Sequence, residues 1–192
     1  MKRIGILLIM LSLALAACSS PGSEPTETTT SNDQTTASKR SETFTAAPFA
    51  DLTLTNAISG KTFTFADFAG KTVYVHPMAQ WCTNCRNSQR RLRDEVLPIL
   101  GENKDIVFVS LDIEFSTSES LANYANDERF DWVFAVVSPE FQEQLIDTFG
   151  RSVIVAPGQP HFIIRPDGSY TELLTGNPPA DQTIALIELA SQ

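Results

Sequence analysis

The chain has 192 residues, 42% of them hydrophobic and 19% charged, with 14 Lys and Arg against 23 Asp and Glu for a formal net charge of −9. That length holds one domain of roughly 100 to 150 residues with appendages, and the apolar content is enough to fill its core. The acidic balance argues against nucleic acid as a partner.

In chain order, Lys2 and Arg3 precede an apolar run from Ile4 to Ala17. The run is shorter than the ~20 residues of a membrane-spanning helix, so residues 1–17 read as an export signal. It ends in LAAC, Leu15 to Cys18, which resembles a bacterial lipobox. That resemblance implies a diacylated Cys18 as the new N-terminus and attachment to a membrane through lipid alone; an ordinary small-residue cleavage site is the plainer alternative. Removal of the signal leaves 12 of the 14 Lys and Arg against 23 Asp and Glu, a formal net charge of −11. Residues 18–43 are a Ser/Thr/Pro/Glu tract with nothing apolar to bury, and predict a disordered, lipid-anchored tether. As a flexible coil it would span on the order of 25 to 30 Å. With Cys18 lipidated, only Cys82 and Cys85 remain, an even pair suited to an exported compartment.

The folded domain is expected over residues 44–192. LTLT (52–55) and FTFA (62–65) alternate apolar residues with threonine around NAISGK, which predicts a β-hairpin. TVYV (72–75) predicts a strand, with Pro77 expected to end or bulge it at His76 because proline removes a ladder donor. A helix is expected after the cysteines to about Leu100. The continuous apolar run IVFVSL (106–111) suits a strand buried on both faces. A helix over 118–126 and a strand over 132–137 follow. Ser138-Pro139 supplies an N-cap and first-turn proline for a helix that Gly150 ends. HFIIR and SYTELL around the turn at 166–168 predict a closing hairpin, and residues 180–190 a last helix. Strands alternating with helices before a terminal hairpin indicate an α/β fold with a mixed sheet.

The chemistry concentrates in HPMAQWCTNCR, His76 to Arg86. A cysteine at a helix N-terminus meets unsatisfied N–H groups and the helix dipole, which lower its pKa from about 8.5 into a range of roughly 3.5 to 7.5. Cys82 is therefore the candidate nucleophile. Cys85, about one turn later, can resolve a mixed disulfide. Three other uses of the pair stay open: a zinc clip, which lacks a second cysteine pair; a purely structural disulfide, which gains little from so short a loop; and a Cu(I) site of two thiolates and a histidine.

AQWCTNCR resembles the active-site signature of the thioredoxin family. The hairpin before it, FADLTLTNAISGKTFTFADFAGKTVYV, and GQPHFIIRPDG (158–168) after it are similar to the membrane-anchored TlpA/ResA-like thiol:disulfide oxidoreductases, over about residue 47 to the C-terminus. The resemblance implies a thioredoxin-like fold: a central mixed β-sheet, helices on both faces and an N-terminal β-hairpin extension. It implies that Pro160 is a cis-proline packed on the disulfide and that backbone atoms of Gln159 are offered to the substrate. It further implies client proteins with exported thiols or disulfides, such as apocytochrome c or copper-site cysteines, a DsbD/CcdA-like membrane electron donor, a monomer, and no cofactor beyond the Cys82–Cys85 disulfide.

The departure is His76, where thioredoxins carry a buried aspartate. An imidazolium there would stabilise thiolate and make the disulfide more oxidising, and a neutral ring could accept a proton; a core histidine bonded to a carbonyl is the plain alternative. Arg86, in line with Arg90 and Arg93, is a candidate for tuning the thiolate or simply part of a solvated face. Trp81 is expected as core cover and one wall of the site, and Asp112 and Glu114 as surface charge. The sequence thus predicts an extracytoplasmic, lipid-anchored thiol:disulfide oxidoreductase. The alternative is a metallochaperone similar to the Sco copper proteins, with Cys82, Cys85 and His161 as its ligands.

Overall fold

The structure, a computed structural model, describes residues 47–192. The signal segment 1–17, Cys18, the tether to residue 43 and residues 44–46 of the expected domain lie outside the described residues.

The two apolar runs form the middle of the sheet. β3 (Thr72–Met78) and β4 (Ile106–Asp112) pair in parallel from Thr72↔Ile106 to Met78↔Asp112. Every residue of β3 is buried, as a strand covered on both faces requires. β5 (Val133–Val136) continues the parallel ladder beyond β4, and β6 (Phe162–Ile164) runs antiparallel along the free edge of β3. The four strands lie in the order β5-β4-β3-β6, the mixed sheet that the alternation of elements predicts.

A shorter antiparallel pair precedes the sheet, β1 (Leu54–Thr55) and β2 (Thr62–Phe63), in register Leu54↔Phe63. Its turn is held by Asn56, whose side-chain oxygen accepts the N–H of Ile58 at 3.0 Å. Gly60 supplies a φ of 71° there. Phe65, expected in the second strand, instead begins a 3-10 turn over Phe65–Phe68, because Asp67 reaches back to the N–H of Thr64 at 2.7 Å and caps it. The Ala57 N–H donates to Phe134 O at 2.7 Å, so the hairpin covers the β5 edge that would otherwise be open to further pairing.

Side chains alternate across the sheet. One face of β3 and β6, with Val75 opposite Phe162, packs on an aromatic cluster centred on Phe49, whose ring lies 5.5 Å from Phe141, 5.8 Å from Phe65 and 5.9 Å from Phe162. Phe141 and Phe149 come from α4 (Pro139–Phe149), capped by Ser138 and ended by Gly150 at φ 75°. The other face, carrying Tyr74, His76 and Ser110, meets α1 (Thr83–Arg91), α3 (Ser118–Asp127) and α5 (Ala180–Ala190). There Gln89 of α1 donates to Ser110 Oγ at 3.2 Å and accepts from Tyr124 of α3, and Thr72 Oγ1 donates to Ser191, just past α5, at 2.9 Å.

The helix after the cysteines does not run evenly. Between α1 and α2 (Leu97–Leu100) the segment Leu92–Val96 is a π-turn in which Leu97 N–H donates to Leu92 O. The wide turn sits directly ahead of Pro98, whose ring would collide with the carbonyl of Asp94 in a regular helix. Two other expectations are corrected. β3 runs through His76 and Pro77 to Met78 rather than ending. Thr72 N–H donates to Asp105 O and Ile113 N–H to Met78 O, so the even-numbered residues of β3 turn their polar groups to β4 and Pro77 turns its nitrogen to the β6 side. The β6 ladder stops at Val75↔Phe162, and the proline removes no ladder bond. The closing hairpin has only one true strand. Tyr170 and Leu174 make isolated bridges to Ile164 and His161, because Thr171 Oγ1 takes the Ile163 N–H at 3.0 Å and breaks the regular ladder.

Candidate active site

The strand-to-helix passage sets the cysteines. Ala79 accepts the Cys82 N–H at 3.0 Å in a tight turn, and Cys82 O accepts the first helical bond, from Arg86 N–H at 3.1 Å. Cys82 is the N-cap of α1, its Sγ accepting the Cys85 N–H at 3.1 Å. A cap acceptor normally is an oxygen; here the sulfur faces the positive end of the helix dipole, the environment that favours thiolate. The two cysteines are disulfide-bonded with Cα atoms 5.3 Å apart. Cys85 is wholly buried and its Sγ lies 3.1 Å from Ala156 O. Cys82 keeps 2% of its surface. Both residues are thus buried, and exposure alone does not rank the two sulfurs.

Opposite the helix start stands the segment before β6. Ala156–Gly158 is a 3-10 turn followed by Gln159 in the left-handed region at φ 53°. Asn84 Nδ2 donates to Pro157 O at 3.4 Å, and Ser88 Oγ donates to Gln159 Oε1. Pro160 is buried. Both backbone groups of Gln159 are engaged within the chain: its N–H donates to Ala156 O at 2.8 Å, and its carbonyl accepts from His161 Nδ1 at 3.1 Å. A carbonyl only accepts, so His161 carries its proton on Nδ1 and leaves Nε2 with a lone pair. An incoming strand therefore meets a Gln159 already in use, which the resemblance alone did not imply.

His76 and His161 come together although they are 85 positions apart. One step beyond the last registered pair, Val75↔Phe162, the antiparallel ladder puts His161 opposite His76. The His161 ring also stacks on Tyr74, centroids 5.6 Å apart. Both histidines are buried. Burial, with the charge of His161 as a lesser cause, pushes the His76 pKa down to about 3, and burial holds that of His161 below its usual value against its bond to Gln159. His76 is thus neutral at pH 7, not the imidazolium considered from sequence. Neither of its ring nitrogens has a hydrogen-bond partner among the described residues, so it is not the carbonyl-bonded core histidine either.

Arg86 is committed elsewhere. Its Nη2 donates to Gln80 O at 3.0 Å, its Nε lies 3.3 Å from Glu128, and its guanidinium stacks over Tyr124 at 5.4 Å. Arg90 grips the same carboxylate with two bonds of 2.8 and 2.9 Å, and Arg93 donates to Glu128 O. The arginine row is a clamp on Glu128 that holds the residue before Trp81, and Trp81 itself is 62% exposed, so it is not the core cover expected.

Asp112 was missed as a structural residue. Expected as surface charge, it is fully buried at the end of β4, accepting from Glu114 N–H at 3.0 Å, Ser116 Oγ at 2.9 Å and Gln80 Nε2 at 3.3 Å. These bonds tie the 113–116 loop, where Phe115 stands exposed at φ 55°, to the residue preceding Trp81. Its place at the end of a buried run was the available signal. Glu114 is exposed as expected. Among the described residues no group of three or more His, Cys, Asp or Glu is arranged to hold a metal ion; Cys82, Cys85 and His161 are not gathered. No helix among them is long and apolar enough to cross a membrane.

No family model matches the chain, and no curated protein does. Among solved structures it is similar to an Aquifex aeolicus protein assigned to electron transport, at 20% identity over 77% of this chain and 97% of that one, TM-score 0.63. A thioredoxin-family thiol:disulfide interchange protein from Chlorobium tepidum matches at 18% identity over 72% and 91%, TM-score 0.60. A secreted Mycobacterium tuberculosis disulfide oxidoreductase homologous to E. coli DsbE matches at 15% over 75% and 99%, TM-score 0.56. The shared property is the fold, which in this chain is thioredoxin-like.

Proposed function

On this thioredoxin-like fold, we propose that the protein is a thiol:disulfide oxidoreductase whose redox group is the Cys82–Cys85 disulfide. The observation that carries the reading is the helix-capping sulfur of Cys82, one turn from a buried partner sulfur. In the reduced enzyme the Cys82 thiolate attacks a client disulfide, forming a mixed disulfide and expelling one client thiolate. Cys85 then gives up its proton and attacks Cys82 Sγ, releasing the second client thiolate and closing the Cys82–Cys85 bond. Two electrons pass to the client and the pair is left oxidised. A dithiol of a membrane electron donor, DsbD/CcdA-like by resemblance, reverses the exchange and recharges it.

The chemistry suits client proteins exported with their cysteines oxidised, such as cytochrome or copper-site precursors. The lipobox-like LAAC and the polar tract behind it support lipid attachment at Cys18 and an extracytoplasmic position. Both sulfurs come from one chain, so a monomer suffices. The copper-carrier reading finds no support in the site geometry, since Cys82, Cys85 and His161 are not gathered into a ligand set among the described residues. Reduction of insulin by dithiothreitol tests the proposal: the protein should accelerate it, and Cys82→Ser should abolish the acceleration. A folded protein that neither reduces protein disulfides in its dithiol form nor oxidises protein dithiols in its disulfide form would overturn it.

A further inference from the structure

His76 presents an unbalanced account. A neutral imidazole carries one N–H donor and one lone pair. Both ring nitrogens of this fully buried side chain lack partners among the described residues, and a buried polar group left unmet is destabilising. The ring lines a cavity of ≈ 10 Å³ between β3, α1, the residues just before β6 and the segment ahead of α5, about the least room that holds one water.

The other polar groups around this cavity are nearly all spoken for. Ser88 donates to Gln159 Oε1, Thr183 Oγ1 donates to Pro179 O at 3.3 Å, and Arg91 donates to Asn177 and Pro178 at 2.8 to 3.1 Å. One acceptor that remains is the lone pair on His161 Nε2, freed because Nδ1–H is given to the Gln159 carbonyl. No carboxylate lines the cavity, and the Arg91 guanidinium does, so a cation is disfavoured. The volume excludes anything larger than a water.

We infer that this cavity is a binding site for a single water molecule held between His76 and His161. The water accepts the N–H of His76 and donates to Nε2 of His161, satisfying one His76 nitrogen and the one free atom of His161. Through that bond His76 supports the ring that holds the Gln159 carbonyl, so the turn facing the dithiol rests on the hydrated histidine pair. The water site stands without the oxidoreductase reading; only its bearing on client binding rests on it.

The test is NMR of the folded protein with nitrogen-15 in its histidines. His161 should be the Nδ1–H tautomer with an Nε2 resonance shifted toward the hydrogen-bonded position, and both rings should show cross-relaxation to a long-lived water. His76→Leu should abolish the water signal and move His161 Nε2 toward its unbonded position, while His76→Asn, which retains a donor, should keep the water. An Nε2–H tautomer for His161, or absence of a long-lived water at either ring in the unmodified protein, would overturn the site, and this holds even if the leucine variant fails to fold. Insulin reduction measured in parallel separates the two proposals, since a water signal with no reductase activity removes the function and leaves the site.

Discussion

Cys82 presents its sulfur to the backbone N–H of its own disulfide partner, Cys85, at 3.1 Å, and Cys85 in turn sets its sulfur 3.1 Å from the carbonyl oxygen of Ala156. The two sulfurs therefore sit in opposite electrostatic surroundings. An N–H at a helix start favours thiolate at Cys82. A carbonyl beside buried Cys85 favours the thiol, which can donate to it. In the reduced protein Cys82 should titrate below about 8.5 and Cys85 above it. Thiolate absorbance against pH and the order of alkylation by iodoacetamide at pH 7 check this. Simultaneous alkylation of the two would contradict it.

Acid stability should report the buried histidine. The folded-state pKa of His76 is depressed to about 3, while the unfolded chain holds a histidine near 6.5. Between those values the unfolded state binds the extra proton, so stability is intact above pH 6.5 and falls as the pH drops toward 3. Each unit of depression corresponds to about 1.4 kcal/mol, and His161, also depressed, adds in the same direction. Urea midpoints from pH 7 to 4 should decline steeply, and less steeply in His76→Leu. Equal slopes in the two proteins would count against the assignment.

Pro77 makes no demand on the sheet. Its nitrogen faces past the end of the β6 ladder, so Pro77→Ala should cost no ladder hydrogen bond and only the packing of the two buried ring carbons it removes, on the order of 1 to 2 kcal/mol. His76→Pro, at a residue whose polar groups face β4, should cost about 3 kcal/mol or more. Thermal unfolding of the two variants reads the contrast.

Asp112→Ala strips acceptors from Gln80 and from the N–H of Glu114. A loss of about 2 to 4 kcal/mol is expected from the donors left unmet, with faster amide exchange at Glu114. Unchanged exchange there would mean that the loop is held by other contacts.

Much of this architecture was legible from residue order because local rules were strong where they applied. IVFVSL reads as a buried strand since only a doubly covered strand tolerates continuous apolar side chains, and Ser138-Pro139 with Gly150 brackets α4 because cap chemistry is local. Pro77 misled for the same reason: a local rule about lost N–H groups depends on which neighbour the nitrogen faces, and that is decided by register. Asp112 was read as surface charge because burial depends on Gln80 and Ser116, one of them 32 positions away.

The motif WCTNC by itself determined the chemistry to ask about, since two thiols one helical turn apart at a strand end leave few other uses. Only the tertiary structure decided how that chemistry is set. The antiparallel arrival of β6 beside β3 brings His161 against His76 and Tyr74 and buries His76 as a neutral ring. None of these follows from spacing, because each is a meeting of residues that chain order keeps about 85 positions apart and that only the pairing of strands brings together.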